Sequence, residues 1–371
     1  MPTADELLGV AVVADLAGCL ERATGDTRLA LVRGSSSEFD GMSLGERTRV
    51  VRDAMIAELP EDFPVFAKII RRALTEETFT GWMIWPVTEA VAASATRSGR
   101  LADFDDGMAL LAELTSRLTG EFAIRTFLDA NPARALAIAL GWTDHEDEHV
   151  RRLASEGTRL RLPWGRRVKA LTENPESTVS ILDALYRDES EYVRRSVANH
   201  LNDLSRADAA VAVSIAKRWL GDPDEATSKV VRHALRSLVK AGDVDALALL
   251  GFAAPTDIAI SDFVIDREAV DLGGDIGFGF AVSNNGSESV TVAIDYIVHH
   301  VKANGLTSPK VFKLTTRSLP PGASAQIAKR HSFKPISTRR YYAGTHSVEV
   351  QINGVTQGLR SFQLGVAADD S

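Results

Sequence analysis

Up to about residue 250, apolar residues recur at intervals of three and four. SLGERTRVVRDAMIAEL from Ser43, GMALLAELTSRL from Gly107 and ADAAVAVSIAKRWL from Ala207 each predict an amphipathic helix, with Gly, Pro or Asp between them. The stretch EYVRRSVANHLNDLS, 191–205, puts Val193, Val197 and Leu201 on one face. It carries paired arginines near its start and His200, Asn202 and Asp203 near its end. Three segments look alike: VRRLASEG from Val150, VRRSVANH from Val193 and VRHALRSL from Val231, 43 and 38 residues apart and each preceded by acids. A period near forty residues predicts a HEAT-like solenoid, in which equivalent arginines of successive repeats line up. The first arginines, Arg151, Arg194 and Arg232, serve either a ligand or the acids of the neighbouring repeat.

From residue 257 the period changes. β-Branched and aromatic runs alternate with the turn signals SNNGS, KANGLTSP, LPPGASA, YYAGT and INGVT. About seven strands in an immunoglobulin-like sandwich are expected. The predicted organisation is multidomain: an all-α HEAT-like repeat solenoid over 1–254, then an all-β immunoglobulin-like sandwich over 257–371.

Charge changes the picture more than composition does. The 371 residues are 45% hydrophobic and 25% charged, with a net charge of −8. That average argues against a polyanionic partner, but the charges are segregated. Residues 149–169 hold seven Lys/Arg against Glu156 alone, and 302–340 hold nine with no acid. A polyanion responds to such local fields. AKRHSFKPISTRRYY mixes cations with aromatics, a composition suited to phosphates and groove edges, although a solvated sandwich surface has the same makeup. The single cysteine, Cys19, fits a reducing compartment. LLGVAVVADLAGCL follows acids and is interrupted by Asp15, so a core helix is expected there, in a cytoplasmic protein that meets no membrane.

HEDEH, His145 to His149, matches the H-E-x-x-H zinc pattern, but it lies in an acidic run where Asp144 is a natural helix N-cap. Arg152 stands where the longer zinc motif needs glycine, so no metal is expected. NGS at Asn285 matches a glycosylation sequon that stays silent in a cytoplasm.

Longer blocks are more specific. DEHVRRLASEGTRLRLPWG, YVRRSVANHLNDLS, GEFAIRTFL and VRHALRSLVKAGDVDALALLG resemble the AlkC branch of the HEAT-repeat DNA alkylation-repair glycosylases. The resemblance covers the helical half, and the subgroup with an appended immunoglobulin-like domain also accounts for the block from Lys310 to Val355. It implies excision of cationic methylated bases, such as 3-methyladenine and 3-methylcytosine, from alkylated double-stranded DNA by a monomer without cofactor or metal. The related AlkD branch works without flipping the lesion into a pocket.

Residue chemistry agrees with that implication. A base alkylated on a ring nitrogen is already cationic and leaves without a strong acid. What helps is negative charge near the sugar, where oxocarbenium character grows, and a held water. Asp203 and Glu121 are the candidate carboxylates, and Trp164 is the aromatic face beside the lesion. Arg152, Arg159 and Arg195 are expected to hold phosphates; Lys329, Arg330, His331, Arg339 and Arg340 are expected to do so in the second domain. The structural alternatives are that Asp203 ends its helix or bonds Ser205, that Glu121 begins a helix, and that Trp164 packs between repeats. The competing function is a non-catalytic repeat scaffold that binds DNA or a protein.

Overall fold

A computed structural model describes residues 2–25, 28–252, 257–337 and 339–366. The chain forms two compact units, one of residues 1–208 and 218–234, the other of 209–217 and 235–371. The expected junction at 255–256 lies outside the described residues. The helices Arg236–Ala241 and Val244–Leu249 group with the strands rather than with the repeats. One cause is a close backbone approach. Gly242 and Gly354 both sit at positive φ (82° and 83°), and a Cβ on Gly242 would lie 2.6 Å from Gly354 Cα.

Described by itself, the first unit is helical and its core is set by the three-and-four pattern. In the helix Glu191–Leu204, Val193, Val197, Leu201 and Leu204 are fully buried. This helix packs on Glu148–Gly157 and on Thr227–Ala234, so the three similar segments are neighbours. Each such side chain contributes about 1.5–3 kcal/mol when removed from water. The N-cap of Glu148–Gly157 is Asp147, whose side chain accepts the His149 N–H at 2.8 Å. Asp144, the expected cap, ends a short 3-10 turn, Trp142–Asp144, because the chain does not enter the helix until three residues later.

The second unit carries two sheets. β1 (Ile258–Ile265), β3 (Asp275–Asn284) and β6 (Ser324–Ser332) form one, in the order β1-β3-β6. β2 (Ala269–Asp271), β4 (Val290–Val301), β5 (Thr307–Leu319), β7 (Gly344–Ile352) and β8 (Val355–Gly365) form the other, in the order β2-β8-β7-β4-β5. All neighbours are antiparallel except the short β2–β8 pair. Ile276, Phe278, Phe280 and Val282 alternate inward from β3 to meet Ile294, Tyr296, Val298, Val348 and Val350. The eighth strand, absent from the expectation of about seven, is three-residue β2, too short to show a period.

Among the described residues no helix is long and apolar enough to cross a membrane.

Candidate active site

Two neighbouring helices and one turn of the helical unit bring three carboxylates together. Asp203 comes from the last turn of Glu191–Leu204 and Glu156 from the last turn of Glu148–Gly157. Glu121 lies in the turn before Ile124–Ala130, whose N-cap is Ala123, so it does not begin that helix. Arg159 joins the first two: its Nε donates to Asp203 Oδ2 at 2.8 Å and another guanidinium nitrogen to Glu156 Oε1 at 2.6 Å. Arg152 joins the others, 2.8 Å from Glu121 Oε2 and 3.8 Å from Glu156 Oε1. The chain of contacts Glu121–Arg152–Glu156–Arg159–Asp203 holds three anions and two cations, a formal charge of −1, with every side chain 7–15% exposed.

Burial alone would lower the Arg159 guanidinium, but its bond to Asp203 and the charge of Glu156 outweigh that, and it is held above its ordinary value. Arg152 also lies over the Tyr192 ring, 4.8 Å from its centre. The Ser196 hydroxyl donates to Glu156 Oε2 at 2.7 Å, so both oxygens of Glu156 are engaged. Thr119 donates to Glu121 Oε2 at 2.8 Å. Beneath the cluster His200 is completely buried, its Nδ1 2.9 Å from Ser155 O and its Nε2 3.1 Å from Thr178 Oγ1. A carbonyl only accepts, so Nδ1 carries the proton. Burial, with Arg159 nearby, pushes this imidazole down to about 3 and keeps it neutral.

Trp164 stands apart from this chain of contacts. It is 74% exposed and adopts φ of +62°, a left-handed conformation that costs a residue with a Cβ about 1–2 kcal/mol. The turn survives because buried Arg125 holds it: Arg125 donates to the carbonyls of Gly157 at 3.2 Å, Arg159 at 3.0 Å and Arg166. Trp164 is therefore not packing between repeats. Asp203 does not bond Ser205, whose hydroxyl donates to Asn202 O at 2.9 Å.

The expected cation positions divide. Arg152 and Arg159 are turned onto carboxylates instead of presenting free guanidiniums, a consequence of the carboxylates packed beside them. Arg195 stays on the surface, with a side chain 64% exposed and 3.9 Å from Glu191. Arg151 is spent on the neighbouring repeat, donating to Asp188 at 2.7 and 3.1 Å, and Arg194 donates to Glu189 O at 2.8 Å. In the second unit Lys329 and Arg340 are exposed, Arg330 pairs with Asp266 and Asp275, and Arg339 meets His300. His331 is a correction. It is buried in the sandwich, 3.0 Å from the Tyr296 hydroxyl, and burial pushes it down to about 4. A basic run read as one patch ignores that a strand sends adjacent side chains to opposite faces, which parts His331 from Arg330.

Two residues escape the sequence reading. Glu156 appears in the sequence only as the lone acid of a basic stretch; its spacing of three from Arg159 on a helix end is the available signal. Arg125, in the middle of an apolar run, carries no sign of its three carbonyl partners. Of the HEDEH histidines, His145 Nδ1 accepts from Asp147 N at 3.0 Å, and the His149 ring meets Tyr192.

A helical repeat unit with three clustered carboxylates and an immunoglobulin-like sandwich in the same chain define the class. Residues 259–366 match the family model described as the C-terminal Ig-like domain of the uncharacterised protein YhaZ. Protein YhaZ of Bacillus subtilis (strain 168) is 33% identical over 327 residues, 88% of this chain and 89% of that protein. The Pseudomonas fluorescens alkylpurine DNA glycosylase AlkC, solved bound to DNA containing an abasic site analogue, is 33% identical, with a TM-score of 0.84 over 98% of this chain and 99% of that one. The chain belongs to the AlkC family of HEAT-like repeat DNA glycosylases, in the branch with a C-terminal immunoglobulin-like domain.

Proposed function

We propose that this protein is a DNA N-glycosylase that hydrolyses the N-glycosidic bond of cationic N3-methylated bases, such as 3-methyladenine and 3-methylcytosine, in alkylated duplex DNA. One observation carries the chemistry: three carboxylates from separate elements sit together, bridged by the guanidiniums of Arg152 and Arg159. Their negative charge, in surroundings poor in water, favours a sugar that becomes positive as the bond breaks. Arg159 takes Asp203 Oδ2 and Arg152 takes Glu121 Oε2, which leaves Oδ1 and Oε1 to orient the attacking water and face the sugar. Glu156, with both oxygens engaged, acts on position: it fixes the two arginines and through them the two working carboxylates. Exposed Trp164 supplies an aromatic face for the cationic base. Arg195 and the exposed cations of the second unit hold phosphates.

The test is release of free base from methylated duplex DNA. Asp203→Asn keeps the size of the side chain and removes its charge, and it should lower release by about 10²–10³-fold, the effect of removing one preorganised electrostatic interaction. DNA binding should change little. Binding without release in the unaltered protein would instead favour the scaffold, whereas full release by Asp203→Asn would remove the charge role from Asp203.

A further inference from the structure

A cavity lies in the helical unit, lined by none of the three carboxylates and sharing Trp164 with the lesion site proposed above. It encloses about 780 Å³, within the usual range of about 300–1,000 Å³ for ligand sites. Arg49 and Arg52 from Leu44–Glu58, Trp85 and Glu89 from Ile84–Arg97, Phe122 and Trp164 form its walls. Trp85 and Phe122 are stacked, 4.6 Å between centres and 27° apart. The Trp85 ring is buried at 8% exposure, and its Nε1 is turned to the Glu89 carboxyl close enough to lower it, although short of full hydrogen-bond geometry. A buried donor and acceptor set side by side in a cavity wall, with their mutual bond incomplete, leave room for a ligand that engages both. One turn on, Glu89 supplies an acceptor; burial raises its carboxyl above the ordinary range, against the pull of Arg52 and Arg166.

Aromatic walls, one donor and one acceptor at the floor, and arginines among the lining residues match the faces, edge and phosphate of a single nucleotide. We infer that this cavity receives an unpaired base, read through its hydrogen-bonding edge by the Trp85 indole N–H and the Glu89 carboxylate, and that the base is the one opposite the excised nucleotide. The inference rests on the glycosylase reading. Removal of the alkylated base leaves its opposite number without a partner, and an unpaired base is the least costly to draw from the stack. Thymine and guanine, the partners of adenine and cytosine, each offer a ring N–H to the carboxylate and a keto oxygen to the indole. Held in the cavity, the orphaned base would keep the product duplex open.

The experiment measures affinity for duplexes with an abasic analogue in one strand and, opposite it, thymine, 3-methylthymine or a second abasic residue. Blocking the thymine edge with a methyl group keeps the ring and removes the N–H. The unaltered protein should bind the thymine duplex about tenfold or more tightly than the other two, the effect of one hydrogen bond to a charged group. Glu89→Ala and Trp85→Phe should each erase most of that preference. Trp85→Phe retains the ring and decides the matter if Glu89→Ala does not fold. Equal affinities in the unaltered protein, or a preference that survives both substitutions, would overturn the inference. Base release measured in parallel keeps the two readings apart. Release without an opposite-base preference fails the inference alone; preference without release fails the catalytic reading alone.

Discussion

Arg159 is the residue on which the carboxylate cluster turns. Its guanidinium is 9% exposed and divides its donors between Asp203 and Glu156, two anions from different repeats. Replacing it with methionine would leave both carboxylates buried beside each other without their cation. Breaking a buried pair in this way costs about 3–5 kcal/mol, so Arg159→Met should lower the unfolding midpoint of the helical unit in a denaturant titration. Base release should fall as well, because Asp203 would be held neither in place nor in charge. Retained stability with retained release would show that the arginine is incidental. Asp203 and Glu121 are legible in the sequence at this scale because ionisable groups crowded near a helix end call for an explanation. Glu156 is not, because a single acid among seven cations reads as charge balance until the fold puts it between two arginines.

Elements explain why the same basic run means different things in different places. On β6, Arg330 and His331 are adjacent, yet one is exposed and the other buried. His331 belongs with His300, His346 and Phe333 in a buried ring cluster. Burial pushes His300 down to about 3 and His331 to about 4, and lowers His346 as well. In the unfolded chain these imidazoles titrate near 6.5. The unfolded state therefore binds more protons below that pH, and stability is full above it and lost as pH falls through the window down to about 4. Asp295 works in the opposite sense: burial raises it to about 6, so the folded state binds the extra proton between about 4 and 6 and recovers part of the loss. Three histidines against one aspartate give a net loss on acidification. The melting temperature of the strand-bearing unit should drop between pH 7 and pH 5, and less so in His331→Phe. A melting temperature that is flat over this range would contradict the buried neutral assignment.

At the scale of the whole molecule, the segregated charge of an acidic chain becomes a statement about DNA. The exposed cations of the second unit, Lys329 and Arg340 among them, lie in the acid-free stretch 302–340. If that unit grips the duplex, a chain ending near residue 256 should process lesions more weakly. The slope of log affinity against log salt should also flatten by about 0.9 for each phosphate that the shortened chain no longer neutralises. Unimpaired release by a truncated protein that still folds would remove the second unit from DNA handling. The cut must respect Gly242 and Gly354, whose close approach ties the helices after Ala234 to the strands. Removal of the strands therefore exposes that surface, and folding has to be checked before release is compared.

Pattern alone determined the two architectures and the repeat period, because burial enforces a period of 3.6 in a helix and 2 in a strand wherever one face meets a core; the family came from the resemblance of longer blocks. Pattern also marked Asp203, Glu121 and Trp164 as residues needing a reason. Tertiary structure alone decided which charges face one another: that Arg152 and Arg159 turn to carboxylates, that Arg151 is spent on Asp188, and that His331 is interior. Ion pairing and desolvation depend on distances of a few ångströms between residues some forty positions apart, and no local period in the chain encodes them.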